Sequence, residues 1–164
     1  MVSNMECTYI FDIDGVIVDC NERILVAMEL AGNSIKKFWE YFFNEDLFKL
    51  DKPREVGIRL LIDRANKGKV VVISGRPRRL LSITKEQLRS FGVLKYIDRL
   101  YLRGNNDFRP SSIYKLEVIE RLINEGLNIC EVHDDDEKFL LRLKETYPDI
   151  RTYLHIGRGD YVVR

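Results

Sequence analysis

The chain has little that would place it in a specialised structural class. Only three cysteines occur among its 164 residues. Cys7, Cys20 and Cys130 are odd in number, far apart, and lack the paired spacing of zinc ligands, so reduced thiols in a cytoplasmic protein are expected rather than a disulfide scaffold. No apolar run approaches the roughly 18 residues needed to cross a membrane, and no basic-then-apolar leader opens the sequence, so no membrane partner is expected. An excess of either charge is missing too: 27 Lys+Arg stand against 26 Asp+Glu, a net charge of +1. Overall basicity therefore does not announce nucleic acid, although a local basic rim is left open. Repeats, low-complexity tracts and linkers are also lacking. A chain of this length with 45% hydrophobic residues can bury one core but not two ordinary ones, which predicts a single domain over residues 1–164.

What is present alternates between two periodicities. Residues 6–13 read as a buried strand, and residues 21–31 as a helix with Ile24, Leu25 and Met28 on its apolar side. Ser34 opens a second helix carrying Phe38, Trp39, Phe42 and Phe43 at three-to-four spacing; this aromatic face is expected to pack in the core, to cap the site or to form a homodimer contact. Pro53 suits the first turn of a third helix ending near Asn66. Val70-Val71-Val72-Ile73 has the unbroken β-branched character of a strand covered on both faces. A helix over 80–90, a strand over 97–102, a helix capped by Ser111-Ser112, a strand over 127–132, a helix over 137–146 and a last strand over 151–156 follow. Such alternation predicts an α/β fold: a Rossmann-like three-layer sandwich around a mostly parallel five-stranded sheet. A small helical insertion, about residues 20–66, follows the first strand, with no room for a large cap.

In open sheets of this kind, ligands bind beyond the carboxyl ends of the strands. Four of those ends carry Asp12/Asp14, Ser74/Gly75/Arg76, Arg103 and Asp134/Asp135. Asp12 and Asp14, two apart on a strand, can converge, and carboxylates held that close need a cation between them or a shared proton. Gly15 permits the sharp turn that follows. His133 reads as a strand-end residue with a satisfied ring, Asp136 as a helix-start charge, Asp19 as a turn residue and Tyr114 as packing.

Asp12-Ile13-Asp14-Gly15 after an apolar strand, Ser74 at the end of a second strand, Lys115 early in a helix and Asp134-Asp135 ending a further strand together resemble the four motifs of the haloacid dehalogenase (HAD) superfamily of aspartate-nucleophile phosphohydrolases. Within it, the run Arg103, Asp107, Arg109, Lys115 beside Ser74-Gly75-Arg76 is similar to the phosphatase domain of phage-type polynucleotide kinase-phosphatases, which act on nucleic-acid 3′-phosphates. Ser111 stands where such proteins often carry an Asp, and no GxxxxGK[ST] kinase loop occurs.

The resemblance implies a Mg²⁺-dependent phosphatase, and the residues make chemical sense of it. Asp12 would be the nucleophile, forming an aspartyl-phosphate, and Asp14 the general acid and base. Asp12, the Asp14 carbonyl and Asp135, or alternatively Asp134, would hold the metal. Ser74 and Gly75 would hold phosphate oxygens while Lys115 supplies a positive charge. Arg76, Arg103 and Arg109 would grip a second phosphate or the leaving group, with surface ion pairs as the alternative. The substrate is expected to be a nucleic-acid 3′ end, with mononucleotides or other small phosphates as the alternative. A receiver domain would carry its acceptor aspartate on a middle strand, and a non-catalytic module would be expected to lack Asp12 or Asp14.

Overall fold

The computed structural model describes residues 5–164. In chain order its elements are β1 (Cys7–Phe11), β2 (Val18–Asp19), α1 (Asn21–Ala31), α2 (Ile35–Phe42), β3 (Lys52–Pro53), α3 (Glu55–Ala65), β4 (Lys69–Pro77), α4 (Leu81–Ser90), β5 (Arg99–Arg103), α5 (Ser111–Asn124), β6 (Asn128–Asp134), α6 (Glu137–Thr146), β7 (Arg151–Ile156) and β8 (Asp160–Val163). The central sheet has the order β5-β4-β1-β6-β7-β8 and is parallel except for β8. It therefore holds six strands where five were expected. β8 turns back through Gly157, whose φ of 56° suits a residue without Cβ.

Each strand of the sheet centre is covered on both faces. Val70 and Val72 join Phe11, Ile58, Leu61 and Leu88 on one side, beneath α1, α3 and α4. Val71 and Ile73 meet Ile119, Leu122, Phe139 and Leu143 on the other, beneath α5 and α6. That is why β4 carries an unbroken apolar run rather than an alternating one.

Four local expectations need correction. On α1 the buried face is Arg23, Ala27 and Ala31, whereas Leu25 and Met28 are exposed. Pro53 does not begin a helix but pairs with Val18 in the short antiparallel β2–β3 ladder, leaving α3 to start at Glu55. α5 has Pro110 rather than Ser111 at its cap position, with no side-chain cap bond. The thiols of Cys7 and Cys130 form a disulfide. It is possible because the β1–β6 register slips between Thr8 and Tyr9, so that Cys130 is the extra residue of β6 and lies close to Cys7, Cα–Cα 5.5 Å. Cys20 remains a free, buried thiol whose pKa burial pushes up.

The aromatic segment is largely used within the chain. Phe42, Phe43 and Phe48 belong to the core, while Ile35 and Trp39 face outward. No helix among the described residues is long and apolar enough to cross a membrane.

Candidate active site

The three central strands end side by side. Phe11 is opposite Val72 on β4 and His133 on β6, so the next residues outward on β1 and β6, Asp12 and Asp134, and Ser74 one step further along β4 emerge at one edge. The Asp12 amide donates to the His133 carbonyl (3.0 Å), extending this alignment past the end of β1. His133 itself is fully buried, stacked between Phe11 and Tyr153, with Nδ1 3.0 Å from His155 Nε2. It is structural, as the sequence suggested.

Asp12, Asp134 and Asp135 bring carboxylate oxygens within 4.8 Å of one another. Lys115, 5% exposed on α5, reaches into the group: Nζ lies 2.7 Å from Asp134 and 3.1 Å from Asp12. Burial alone would lower the Lys115 pKa, but Asp12 and Asp134 hold it well above its ordinary value. The three carboxylates outnumber their one cation. Burial, with repulsion from Asp134 and Asp14 and against the pull of Lys115, raises Asp12 to about 7. Asp135, whose carboxyl oxygen lies where a Gly15 Cβ would stand, is pushed up to about 9 by desolvation and by Asp12 and Asp134. Gly15 has a φ of 85°, so a side chain there would be both strained and in collision with Asp135.

These hard oxygen donors with uncompensated negative charge fit a divalent cation such as Mg²⁺. The Asp14 carboxylate is not among them. It turns away to two buried arginines: Arg76 donates from Nε (3.0 Å) and Nη2 (2.8 Å), and Arg23 from Nη2 (2.5 Å). Burial would raise its pKa, but the two guanidiniums more than offset this and hold Asp14 well below the usual carboxylate range. Both arginines are themselves fixed. Arg23 Nε and Nη2 donate to Asp51 and its Nη1 to the Phe42 carbonyl. Arg76 donates to Thr84 and Gln87, and Gln87 returns to Asp51. Both guanidiniums stack on Phe48, at 4.4 and 4.5 Å from its ring centre.

Arg76 is therefore unavailable for substrate phosphate; it positions Asp14. Arg23, Asp51 and Gln87 escaped the sequence reading. A signal existed: Arg23, Ala27 and Ala31 recur every four residues, a stripe of small residues headed by an arginine, which marks a closely packed helix face with a buried charge at its end.

Ser74, 1% exposed, accepts from the Arg76 amide at 3.1 Å, an arrangement that shapes the irregular end of β4, where its register with β5 shifts. A Cβ on Gly75 would stand 3.1 Å from the Ser111 Cβ, so the end of β4 and the start of α5 are in close approach. Arg103 donates to the Arg109 carbonyl, and the Arg109 guanidinium pairs with Asp107 and Glu117. Arg109 is thus engaged in surface ion pairs beside the site rather than joined to the carboxylate cluster.

A second network underlies the rim. Arg54, 2% exposed, bonds His155 Nδ1 and the carbonyls of Val16, Gly157 and Asp160, tying the β7–β8 hairpin to the turn after Asp14.

No protein-family model and no curated protein matches the sequence. Solved structures do match. A chain of the Pnkp1/Rnl/Hen1 complex, described in a second structure as an RNA repair complex, is 19% identical over 96% of this chain and 48% of its own length, with a TM-score of 0.72. A haloacid dehalogenase-like hydrolase from Streptococcus pneumoniae is 14% identical over 94% of this chain and 87% of that one, with a TM-score of 0.66. Protein tyrosine kinase A from Mycobacterium tuberculosis is 14% identical over 98% and 89%, with a TM-score of 0.67. The fold is that of the HAD-like hydrolases, a Rossmann-type sandwich without a large cap. The chain spans about half the length of the Pnkp1-complex chain it matches.

Proposed function

We propose that this chain, with its HAD-like fold, is a Mg²⁺-dependent phosphomonoester hydrolase whose substrate is a 3′-phosphorylated nucleic-acid end. The observation that carries the reaction is the meeting of Asp12 with Lys115, Asp134 and Asp135 at the carboxyl ends of adjacent strands, with Ser74 towards the end of β4 beside it. Asp12, Asp135 and Asp134 would hold the cation, with the Asp14 carbonyl completing the set; the ion would neutralise the oxygens of the transferring phosphoryl group.

In the first half-reaction an Asp12 oxygen attacks phosphorus, the P–O bond to the substrate breaks, and an aspartyl-phosphate forms. Asp14, ionised at rest, takes a proton from solvent as the substrate binds and passes it to the departing oxygen. In the second half, water attacks the aspartyl-phosphate while Asp14 takes its proton, regenerating Asp12 and releasing phosphate. Arg23 and Arg76 hold Asp14 ionised at rest, which suits the base step. Lys115 favours the ionised form of Asp12, and Ser74 with the Gly75 amide receives phosphate oxygens.

The polynucleotide end is favoured because the insertion between β1 and α3 is too small for a large cap, and because a fold neighbour belongs to an RNA repair complex. Residues 1–164 are taken as one domain. We place the chain in the cytoplasm, a setting in which the Cys7–Cys130 disulfide would be open to reduction.

A panel of a 3′-phosphorylated oligonucleotide, its 5′-phosphorylated twin, mononucleotides and sugar phosphates tests the reading. The 3′-phosphorylated strand should be preferred, and Asp12→Asn should abolish turnover. Preference for mononucleotides or sugar phosphates would overturn the substrate, and turnover by Asp12→Asn near wild type would overturn the nucleophile.

A further inference from the structure

Phe108 is the most exposed large apolar side chain among the described residues, at 87%. It sits in the 104–110 loop after β5, at the carboxyl edge of the sheet where the carboxylate cluster lies. An apolar side chain left in water usually sits on a slack loop, but this loop is braced on both sides of Phe108. The Asp107 amide donates to the Gly104 carbonyl and the Arg109 amide to Asp107. Arg103 crosses the loop's neck to the Arg109 carbonyl at 2.8 Å, and the Arg109 guanidinium is held by Asp107 and Glu117. Asn105 accepts from the Arg79 amide at 2.8 Å, tying the loop to the turn that follows Ser74-Gly75. The backbone around Phe108 is fixed while its ring stacks on no other aromatic among the described residues.

Charge beside the ring points to the same ligand. Arg78 and Arg79 are exposed and make no ion pair among the described residues, and Arg79 adjoins the loop through Asn105. A rigidly presented aromatic face beside unpaired cations matches a single nucleic-acid strand, whose bases stack and whose phosphates attract.

We propose that Phe108 stacks on a base of the strand whose terminal phosphate enters the site, while Arg78 and Arg79 receive its backbone phosphates. The proposal rests on the nucleic-acid reading above and supplies that reading's subsite. Stacking of this kind is sequence-tolerant, so the site selects a strand rather than a particular base.

The test separates the subsite from the reaction. In protein carrying Asp12→Asn and Trp39→Phe, Phe108→Trp supplies the sole indole. Titration with a 3′-phosphorylated pentanucleotide should quench its emission, and an abasic strand of equal length should quench it far less. Equal quenching by both strands, or none, overturns stacking whether or not the chain is a phosphatase. In otherwise wild-type protein, Phe108→Ala should raise KM for the pentanucleotide about 10-fold with kcat retained and leave glycerol phosphate turnover unchanged. A KM unchanged for both, as for a protein-docking anchor, also overturns it. Arg78→Ala with Arg79→Ala should reduce the slope of log affinity against log salt by about 1.4, corresponding to two single-strand phosphates; an unaltered slope removes the arginines from the site. Absence of turnover by wild-type protein on every phosphate ester would sink the catalytic reading alone.

Discussion

Asp14 and Arg76 meet in a two-pronged ion pair, Nε to Oδ2 at 3.0 Å and Nη2 to Oδ1 at 2.8 Å, with Arg23 closing on Oδ1 from the other side. The fork geometry fixes both the position and the charge of the carboxylate, and a lysine ammonium reproduces neither. Arg23→Lys and Arg76→Lys should therefore each lower kcat, by about 100-fold, while KM moves little, since neither residue faces the phosphate. Steady-state kinetics on folded variants checks this. Arg23→Ala should in addition destabilise by about 3–5 kcal/mol in urea unfolding, because buried Asp51 would lose the guanidinium hydrogen-bonded to it and Asp14 one of its two. A fall in KM-dependent terms alone would show that these arginines contact substrate after all.

The carboxylates of Asp12, Asp134 and Asp135 face one lysine, so a bound divalent cation should stabilise the fold by removing their repulsion. Addition of Mg²⁺ should raise the melting temperature of the wild type, and Asp135→Asn should weaken that rise while melting at least as high as wild type without metal. Calorimetry with and without chelator measures both. Equal Mg²⁺ shifts in the two proteins would remove Asp135 from the metal set.

His155 is neutral in the fold across the acid range: burial, His133 and the adjacent Arg54 push its pKa down to about 3. His133 is shifted in the same direction by burial. An unfolded histidine takes up a proton near pH 6.5, so between that pH and about 3 the unfolded chain binds more protons than the folded one. The His155 contribution to stability should be intact above pH 6.5 and be lost as pH drops below it, by at most about 1.4 kcal/mol per pH unit for one such group, while the raised Asp12 and Asp135 add a slope of opposite sign. His155→Gln should therefore make stability between pH 6.5 and 4.5 fall less, or rise more, than in wild type. Urea midpoints across that window would show no difference from wild type if the ring were protonated in the fold.

Much of this architecture was legible because periodicity and strand ends are local properties. Val70 to Ile73 could only be a covered strand, and the boundaries of α1, α6 and β7 follow from Gly32, Asp136 and Pro148 close by. The carboxylate cluster was legible for the same reason: parallel strands bring their carboxyl ends to one edge whatever lies between them. What stayed hidden depends on pairings between distant segments. The depth of Arg23 and Arg54 is set by Asp14, Asp51 and five backbone carbonyls that sequence cannot place beside them. Arg76 was assigned to substrate because a strand-end arginine next to Ser74 has the right address; only the side-chain direction reveals Asp14 as its partner. β8 is short and exposed throughout, so burial left no pattern to read.

Cys7 and Cys130 were likewise unreadable as a pair, since their meeting depends on a one-residue slip between β1 and β6. They are 123 residues apart, so the bond restricts nearly the whole unfolded chain; closure of a loop of about 100 residues corresponds to about 4–5 kcal/mol in the chain-entropy account, with observed values typically 2–4. Reduction, or Cys7→Ser with Cys130→Ser, should thus lower the urea midpoint of unfolding by an amount equivalent to about 2–4 kcal/mol. Turnover should survive: Cys7 begins the strand whose far end delivers Asp12, and neither sulfur touches the catalytic rim. Unfolding curves and initial rates measured on oxidised and reduced protein decide the matter. Matching midpoints would mean that the two sulfurs are not joined in solution, and a parallel loss of rate at temperatures where the reduced protein is still folded would mean that the register of β1 against β6, and with it the placement of Asp12 beside Asp134, is maintained by the bond.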